Sequence, residues 1–337
     1  MSSIAAGAPD SAAKRRGNFL GLFAIMLWSV WAPLMVAGGA MPPFLFIATA
    51  FTSASVVMLS RRVILRRGFS DLWRIPLPTL ALGFAGLWGS NVVFSVALRL
   101  GAEPVSATIV SHTWPIMMVA VILALRISRG TIWDLFALAF GFAGLVSVAT
   151  SDGGFTFHIG LALALVSGFL WAFYSGARTK VPAGPPDALT AFAVTAAVAS
   201  WIGHFVLGEP FAAVPHHVLI AVAVGVLPMG IANALWDISM RRGDPVTIAA
   251  LSFLEPIAAT AIILIMLAQW PNPGDVLGLA LVLTGVALST IGQRRRRDAA
   301  ARPAVPLKPP VGPAPHMPET RPAPAVEPYR EGPPGSG

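Results

Sequence analysis

The sequence predicts an all-α integral membrane protein of ten transmembrane helices, arranged as two inverted five-helix repeats around a central cavity. Three observations carry that prediction. Of the 337 residues, 55% are hydrophobic and only 11% charged, against about a quarter charged in an average soluble domain. Ten apolar runs approach the roughly 20 residues that an α-helix needs to cross about 30 Å of hydrocarbon. The last five runs also repeat the first five at a nearly constant offset.

In order, the runs lie at 18–38, 42–60, 77–98, 104–125, 132–150, 158–177, 188–207, 217–240, 245–268 and 274–293. The first follows AAKRRGN, is too long for the apolar core of a secretory signal and lacks a small-residue cleavage site after it. It is expected to stay as the first helix. The longest internal polar link, RRVILRRGFSDLWRIP at 61–76, is too small to fold alone, which places function inside the bundle. The expected division is a cytoplasmic segment 1–17, a first repeat 18–150, an inverted second repeat 151–297, and a tail 298–337. That tail holds 12 prolines and few large apolar residues, the composition of a disordered extended segment.

Some chemistries are excluded. Without cysteine there are no disulfides, thiolate metal sites or cysteine nucleophiles. Neither H-E-x-x-H nor G-x-S-x-G occurs, so no enzyme, cofactor or metal is expected. His216 and His217 with Glu209 could gather a metal at one face, but solvent-exposed loop histidines are far commoner.

The formal charge of +8 does not point to nucleic acid, because of where the cations lie. Lys14, Arg15, Arg16, Arg61, Arg62, Arg66, Arg67, Arg74, Arg126, Arg129, Arg178, Lys180, Arg241, Arg242 and Arg294 to Arg297 fall on one side of the ten runs. Only Arg99 falls on the other. By the positive-inside rule both termini are expected in the cytoplasm of a cell inner membrane, with the tetra-arginine run facing anionic lipid.

The repeat begins at an offset of 143, with Gly17 matching Gly160 and Trp28 matching Trp171. It passes to 142, where Gly83 meets Gly225, Asn91 meets Asn233 and Arg99 meets Arg241. It ends at 141, pairing Pro104 with Pro245, Ser111 with Ser252, Pro115 with Pro256, Asp134 with Asp275 and Gly144 with Gly285. Five is odd, so the second half enters from the opposite side, an arrangement that transporters use to rock about a mid-membrane site. Pro115 and Pro256 sit about 16 Å beyond their helix starts, near mid-bilayer. Each frees a carbonyl one turn earlier and is a hinge candidate. Asn91 and Asn233 lie about 12 Å from their helix ends, as cavity polar groups or as interhelical staples. The small residues of LGFAGLWGS at 82–90 and LAFGFAGL at 138–145 are expected to pack helices closely, with no ligand role. Trp133, Trp201 and Trp270 look like interface anchors, whereas Trp114, Trp171 and Tyr174 sit close to the repeated features and suit cavity walls.

LGLFAIMLWS (20–29), HTWP (112–115), FLWAFYSGARTK (169–180) and ANALWDISMRRGDPVTIAAL (232–251), with Pro256 beyond them, resemble the drug/metabolite transporter superfamily. Within it they are similar to EamA-like proteins of the YddG-type aromatic amino acid exporter branch. The resemblance spans about residues 17 to 293 and implies ten helices in two inverted repeats around a cavity. It further implies Trp28, Asn91, His112, Trp114, Trp171, Tyr174, Asn233, Trp236 and Glu255 as cavity candidates. Many superfamily members carry Gly-Glu at the ends of helices 4 and 9, where this chain has Ile127-Ser128 and Ala268-Gln269. The exporter branch commonly lacks a carboxylate before the helix 9 proline, where this chain has Glu255.

No arginine or lysine lies deep in a run, so sugar phosphates and nucleotide sugars would lack partners. A zwitterion fits better: Asn91, Asn233 or His112 for its carboxylate, Glu255 for its ammonium, and apolar wall for its side chain. The expected partners are therefore an amino acid or related amine and the lipid bilayer, with no nucleic acid. Export of organic cations, drugs or other small metabolites is the alternative, and an intramembrane enzyme trails both. Glu255 lies about 15 Å along its helix from Pro245, where insertion of an acidic group costs about 2.5–3.5 kcal/mol. It is expected either to face the cavity and alternate between a proton and the substrate ammonium or to be a hydrogen-bonded staple. Trp114, its mate in the repeat, makes the two halves chemically unequal.

Overall fold

The apolar runs become helices in the computed structural model, which describes residues 11–127, 131–150, 158–182, 184–185, 187–212, 214–243, 251 and 254–301. In chain order the spans are α1 Lys14–Ala37, α2 Pro43–Ile64, α3 Leu77–Arg99, α4 Pro104–Ala124, α5 Ile132–Ala149, α6 Ile159–Ala177, α7 Ala188–Val206, α8 Pro215–Trp236, α9 Leu254–Leu267 and α10 Pro273–Gly292. All but α9 are long and apolar enough to cross a bilayer alone. The start of the ninth run, including Pro245, Val246 and Ser252, lies outside the described residues, as does the proline-rich segment beyond Ala301. Helix continues from α10 through the arginines to Ala301, past the expected boundary at 297, because the three alanines after Asp298 still favour helix.

The helix starts follow from local chemistry. Proline stands at the first turn of α2, α4 and α8, where its missing N–H costs nothing and its φ is already helical. Glu103 caps α4 through the amides of Val105 and Ser106. Thr131 and Asp134 form a capping box at the start of α5.

Regular geometry fails at mid-span in four helices. α1 breaks at Val30, four residues after Met26 and three before Pro33. α4 breaks at His112 and Thr113, just ahead of Pro115. α3 widens into π-helix over Ala85–Gly89, and α8 does the same over Gly225–Ala232 around Pro228. Proline explains the breaks, since it lacks the N–H for the carbonyl four residues back and clashes with it. Such irregular backbone survives at membrane depth only when buried in protein or lining a cavity, and single π turns gather at functional sites.

Contacts recur at the repeat offset. A Cβ on Gly144 would lie 2.9 Å from the carbonyl oxygen of Gly278, and one on Gly285 would lie 2.8 Å from that of Ala137. Positions 144 and 285, like 137 and 278, are mates, so α5 and α10 meet across a twofold relation. The chain near Gly17 touches the backbone of Gly243, and that near Gly160 touches the backbone of Ala102, again as mates. Asn91 donates to the carbonyl of Leu87, and Asn233 to that of Met229, both at 2.7 Å.

Helices α2 and α7 are fastened to each other at both ends. At one end Asp187, just ahead of α7, receives Arg61 at 3.3 Å, Arg62 at 3.1 Å and also Arg67. Arg62 is buried with 1% exposure and pairs with Asp71 as well. Burial pushes the Asp187 carboxyl up, but the Arg67 hydrogen bond and the charges of Arg67, Arg61 and Arg62 outweigh it and hold the group below its ordinary range. At the other end Glu209, just beyond α7, accepts from the amides of Phe44 and Leu45 at 3.1 and 3.0 Å and lies 3.2 Å from His204 Nδ1. The residue before α2 is Pro42, which has no capping oxygen, so Glu209 supplies the cap from elsewhere in the chain. The rings of His216 and His217 meet at a tilt, centroids 3.9 Å apart, and among the described residues no three metal-ligating side chains gather.

Candidate functional site

The irregular helices surround one cavity of about 440 Å³, within the usual range for small-molecule sites. All nine residues implied by the resemblance lie on its wall: Trp28 from α1, Asn91 from α3, His112 and Trp114 from α4, Trp171 and Tyr174 from α6, Asn233 and Trp236 from α8, and Glu255 from α9. They come from six helices, and the breaks and π turns bring them together. The hinge candidates Pro115 and Pro256 stand outside the wall. Pro115 accounts for the break in α4; Pro256 stands in the first turn of the described part of α9, and Ser252, four residues before it, lies outside the described residues.

Among the described residues, the cavity runs from mid-span toward one face. Met58 of α2, Met118 of α4, Arg178 just past α6 and Leu189 of α7 extend its wall toward the face where α1 begins and where the arginines gather. On the other side of mid-span Met35, Phe94, Ala97, Val105 and Ala164 are packed away from solvent. There Ser106 Oγ donates to Asp275 Oδ1 at 3.1 Å, tying α4 to the start of α10.

Aromatic rings hold one another and the backbone. Trp28 packs on Trp236 with centroids 4.8 Å apart, and its Nε1 donates to the carbonyl of Pro228 in the π turn of α8 at 3.1 Å. Trp114 meets Trp171 edge to face, and Trp171 meets Tyr174. Asn91 is both a wall residue and a staple: its Oδ1 accepts from Trp31 Nε1 at 2.8 Å while its Nδ2 satisfies Leu87. A wide, greasy chamber with few polar groups results.

Among the described residues, two charged groups meet it at different depths. Glu255 lies at mid-span, 15% exposed, with its Oε1 3.6 Å from His112 Nε2. Arg178 stands at the mouth, its guanidinium 5.9 Å from the centre of the Tyr174 ring. The sequence reading missed Arg178 as a wall residue because it counted among the cations that set topology. It also missed Trp31, Leu87 and Ser90; the last two belong to the stretch at 82–90 expected only to pack. Its glycines do pack, with Gly83 against Phe192 and Gly86 against Tyr174, but the π turn rotates Leu87 and Ser90 to the cavity. Gly168 is a wall residue and a packing residue at once: a Cβ there would lie 2.6 Å from the carbonyl oxygen of Ser111, the one that Pro115 leaves without a backbone amide.

Comparison with known proteins agrees with this architecture. The profile of the EamA-like transporter family matches residues 158–291. The aromatic amino acid exporter YddG of Ancylobacter novellus is 30% identical over 82% of this chain and 98% of its own length. The YddG exporter of Salmonella typhimurium is 23% identical over 84% of this chain and 99% of its own. A solved crystal structure with 29% identity covers 83% of this chain and 99% of its own, with a TM-score of 0.63. A multi-pass bundle with a half-span chamber, and relatives matched over almost their whole length, lead to one conclusion: the chain belongs to the EamA-like transporters of the drug/metabolite transporter superfamily and is of the YddG type.

Proposed function

We propose that this transporter exports neutral amino acids, including those with bulky aromatic or aliphatic side chains, by alternating access across the cell inner membrane with both termini in the cytoplasm. The observation that carries the reading is the cavity itself: aromatic walls, one carboxylate at half-span, one guanidinium at the mouth, and a seal on the far face. The apolar wall suits a side chain, Glu255 suits an ammonium, and Asn233, His112 or Arg178 suits a carboxylate. The distribution of arginine and lysine supports placing the open face toward the cytoplasm, where an exporter collects its cargo. The inverted repeat supports a second state with the chamber open on the other side.

Glu255 among tryptophan faces also suits an organic cation, which needs no partner for a carboxylate. Counterflow into proteoliposomes of purified protein, with a panel of labelled amino acids, amines and organic cations, separates the two. Exchange of phenylalanine and leucine is expected. Selective movement of organic cations, nucleotide sugars or triose phosphates with no amino acid flux would overturn the reading.

A further inference from the structure

His112 occupies the break in α4, and both its ring nitrogens face acceptors. Nδ1 lies 2.7 Å from the carbonyl oxygen of Thr108. A carbonyl offers only lone pairs, so Nδ1 carries the proton, and in a neutral ring Nε2 is then an acceptor. What Nε2 faces, 3.6 Å away, is a carboxylate oxygen of Glu255. His112 is 5% exposed and Glu255 15%. Two acceptors this close repel each other unless a positive charge lies between them.

Few other groups could supply that charge. Among the described residues His112 is the one basic side chain within ion-pair distance of Glu255. Besides α4, α9 packs against α1, whose cations Lys14, Arg15 and Arg16 are exposed at its beginning, half a span away. On α4 the other ionisable group, Glu103, caps its own helix start. Across the cavity stand Tyr174 and, at the mouth, Arg178 over the tyrosine ring.

We propose that His112 and Glu255 form a single cation site, filled either by one proton shared between Nε2 and Oε1 or by the ammonium group of the substrate, and that this exclusion couples export to proton entry. The proposal rests on the amino acid exporter reading. With the chamber open to the cytoplasm, an arriving ammonium donates to both acceptors and the proton leaves Nε2 for cavity water, one cation replacing another. With the chamber open outward, the zwitterion departs and a proton from that side refills the pair. Each cycle moves one neutral zwitterion out and one proton in, so one positive charge enters. The 3.6 Å gap is wider than a hydrogen bond, which leaves the carboxylate room to close on a proton or to turn to a ligand.

Two measurements test this. The first needs no substrate: infrared difference spectra of the purified full-length protein between acid and alkaline buffer. Over the bands of the chain's other acidic residues and histidines, a carboxyl or imidazole component is expected in the wild type that is missing from both Glu255→Gln and His112→Gln. A wild-type protein without that signal, or a signal that His112→Gln leaves unchanged, overturns the proposal whatever the protein carries. The second uses proteoliposomes and labelled phenylalanine. At zero membrane potential a one-to-one exchange should accumulate phenylalanine on the acidic side by about tenfold per unit of pH difference. Both variants should lose the accumulation, and the exchange that remains in His112→Gln, which keeps the carboxylate, should no longer respond to pH. Phenylalanine exchange without accumulation in the wild type removes the coupling and leaves the exporter reading standing. Absence of any amino acid exchange by well-folded protein removes the exporter reading and the coupling with it.

Discussion

A methyl group at position 168 asks how closely α6 has to approach the break in α4. The Cβ of Gly168→Ala would sit 2.6 Å from the carbonyl oxygen of Ser111 and 3.3 Å from its carbonyl carbon and Cα. Ordinary contact begins near 3.4 Å, so the helices have to separate by about 0.8 Å, and overpacking of this kind costs about 1–3 kcal/mol. The obstruction is backbone and cannot rotate away. Alanine returns up to about 1 kcal/mol of helix propensity, so a matched control is needed. Gly89→Ala gains the same propensity but meets only the Leu170 Cδ1 at 3.2 Å, the end of a side chain that can turn aside. Fluorescence melting of the two variants in detergent should therefore differ, with Gly168→Ala the less stable by about 1–3 kcal/mol, or about 2–4 °C for each kcal/mol in a domain of 150–250 residues. Because α4 carries His112 and α6 carries Trp171, Gly168→Ala should also raise the KM for phenylalanine several-fold. Equal melting temperatures for the two variants would refute the claim that this approach is tight.

Asp187→Asn removes the carboxylate that Arg61, Arg62 and Arg67 share. Leaving the buried Arg62 with Asp71 and the Gly68 carbonyl should cost up to about 3–5 kcal/mol, read as a lower melting temperature. The same carboxyl is held below its ordinary range, so its contribution is complete at neutral pH and fades as pH falls through that lowered value. The wild type should lose stability on the acid side, and Asp187→Asn should lose less; parallel acid profiles would count against the cluster. The chain has no cysteine, so topology can be read directly. Ala40→Cys should react with an impermeant thiol reagent on whole cells, while Gly68→Cys, and Ser175→Cys in the chamber, should react faster in inverted vesicles. The reverse pattern would overturn the orientation.

The bundle was legible because lipid leaves few alternatives: a 20-residue apolar run has to be a helix, and matched prolines and asparagines reveal the repeat. The mid-span break at His112 and Thr113 was also legible, since Pro115 states its own effect. The π turns in α3 and α8 were not. Alanine, glycine, leucine and tryptophan at 85–89 are compatible with ordinary helix, and what widens the turn is the neighbour, with Tyr174 against Gly86 and α2 against Gly225. The approach of His112 to Glu255 was half legible. The repeat places Trp114 and Glu255 at equivalent depth, but the partner of a mid-membrane carboxylate depends on how α4 and α9 sit side by side, which a single sequence does not state. Arg178 shows the opposite difficulty, because one residue can mark topology and also stand at a doorway.

The double fastening of α2 to α7 has a practical use for anyone who wants to watch this molecule work. A pair of spectroscopic labels across those two helices, near Ala54 and Ala196, spans a junction clamped by Asp187 at one end and Glu209 at the other. Its distance should stay the same in every ligand condition at neutral pH, where the Asp187 carboxylate keeps its arginine partners. It offers a fixed ruler inside the protein, against which the travel of α1, α4, α6 and α9 can be measured without an external frame of reference.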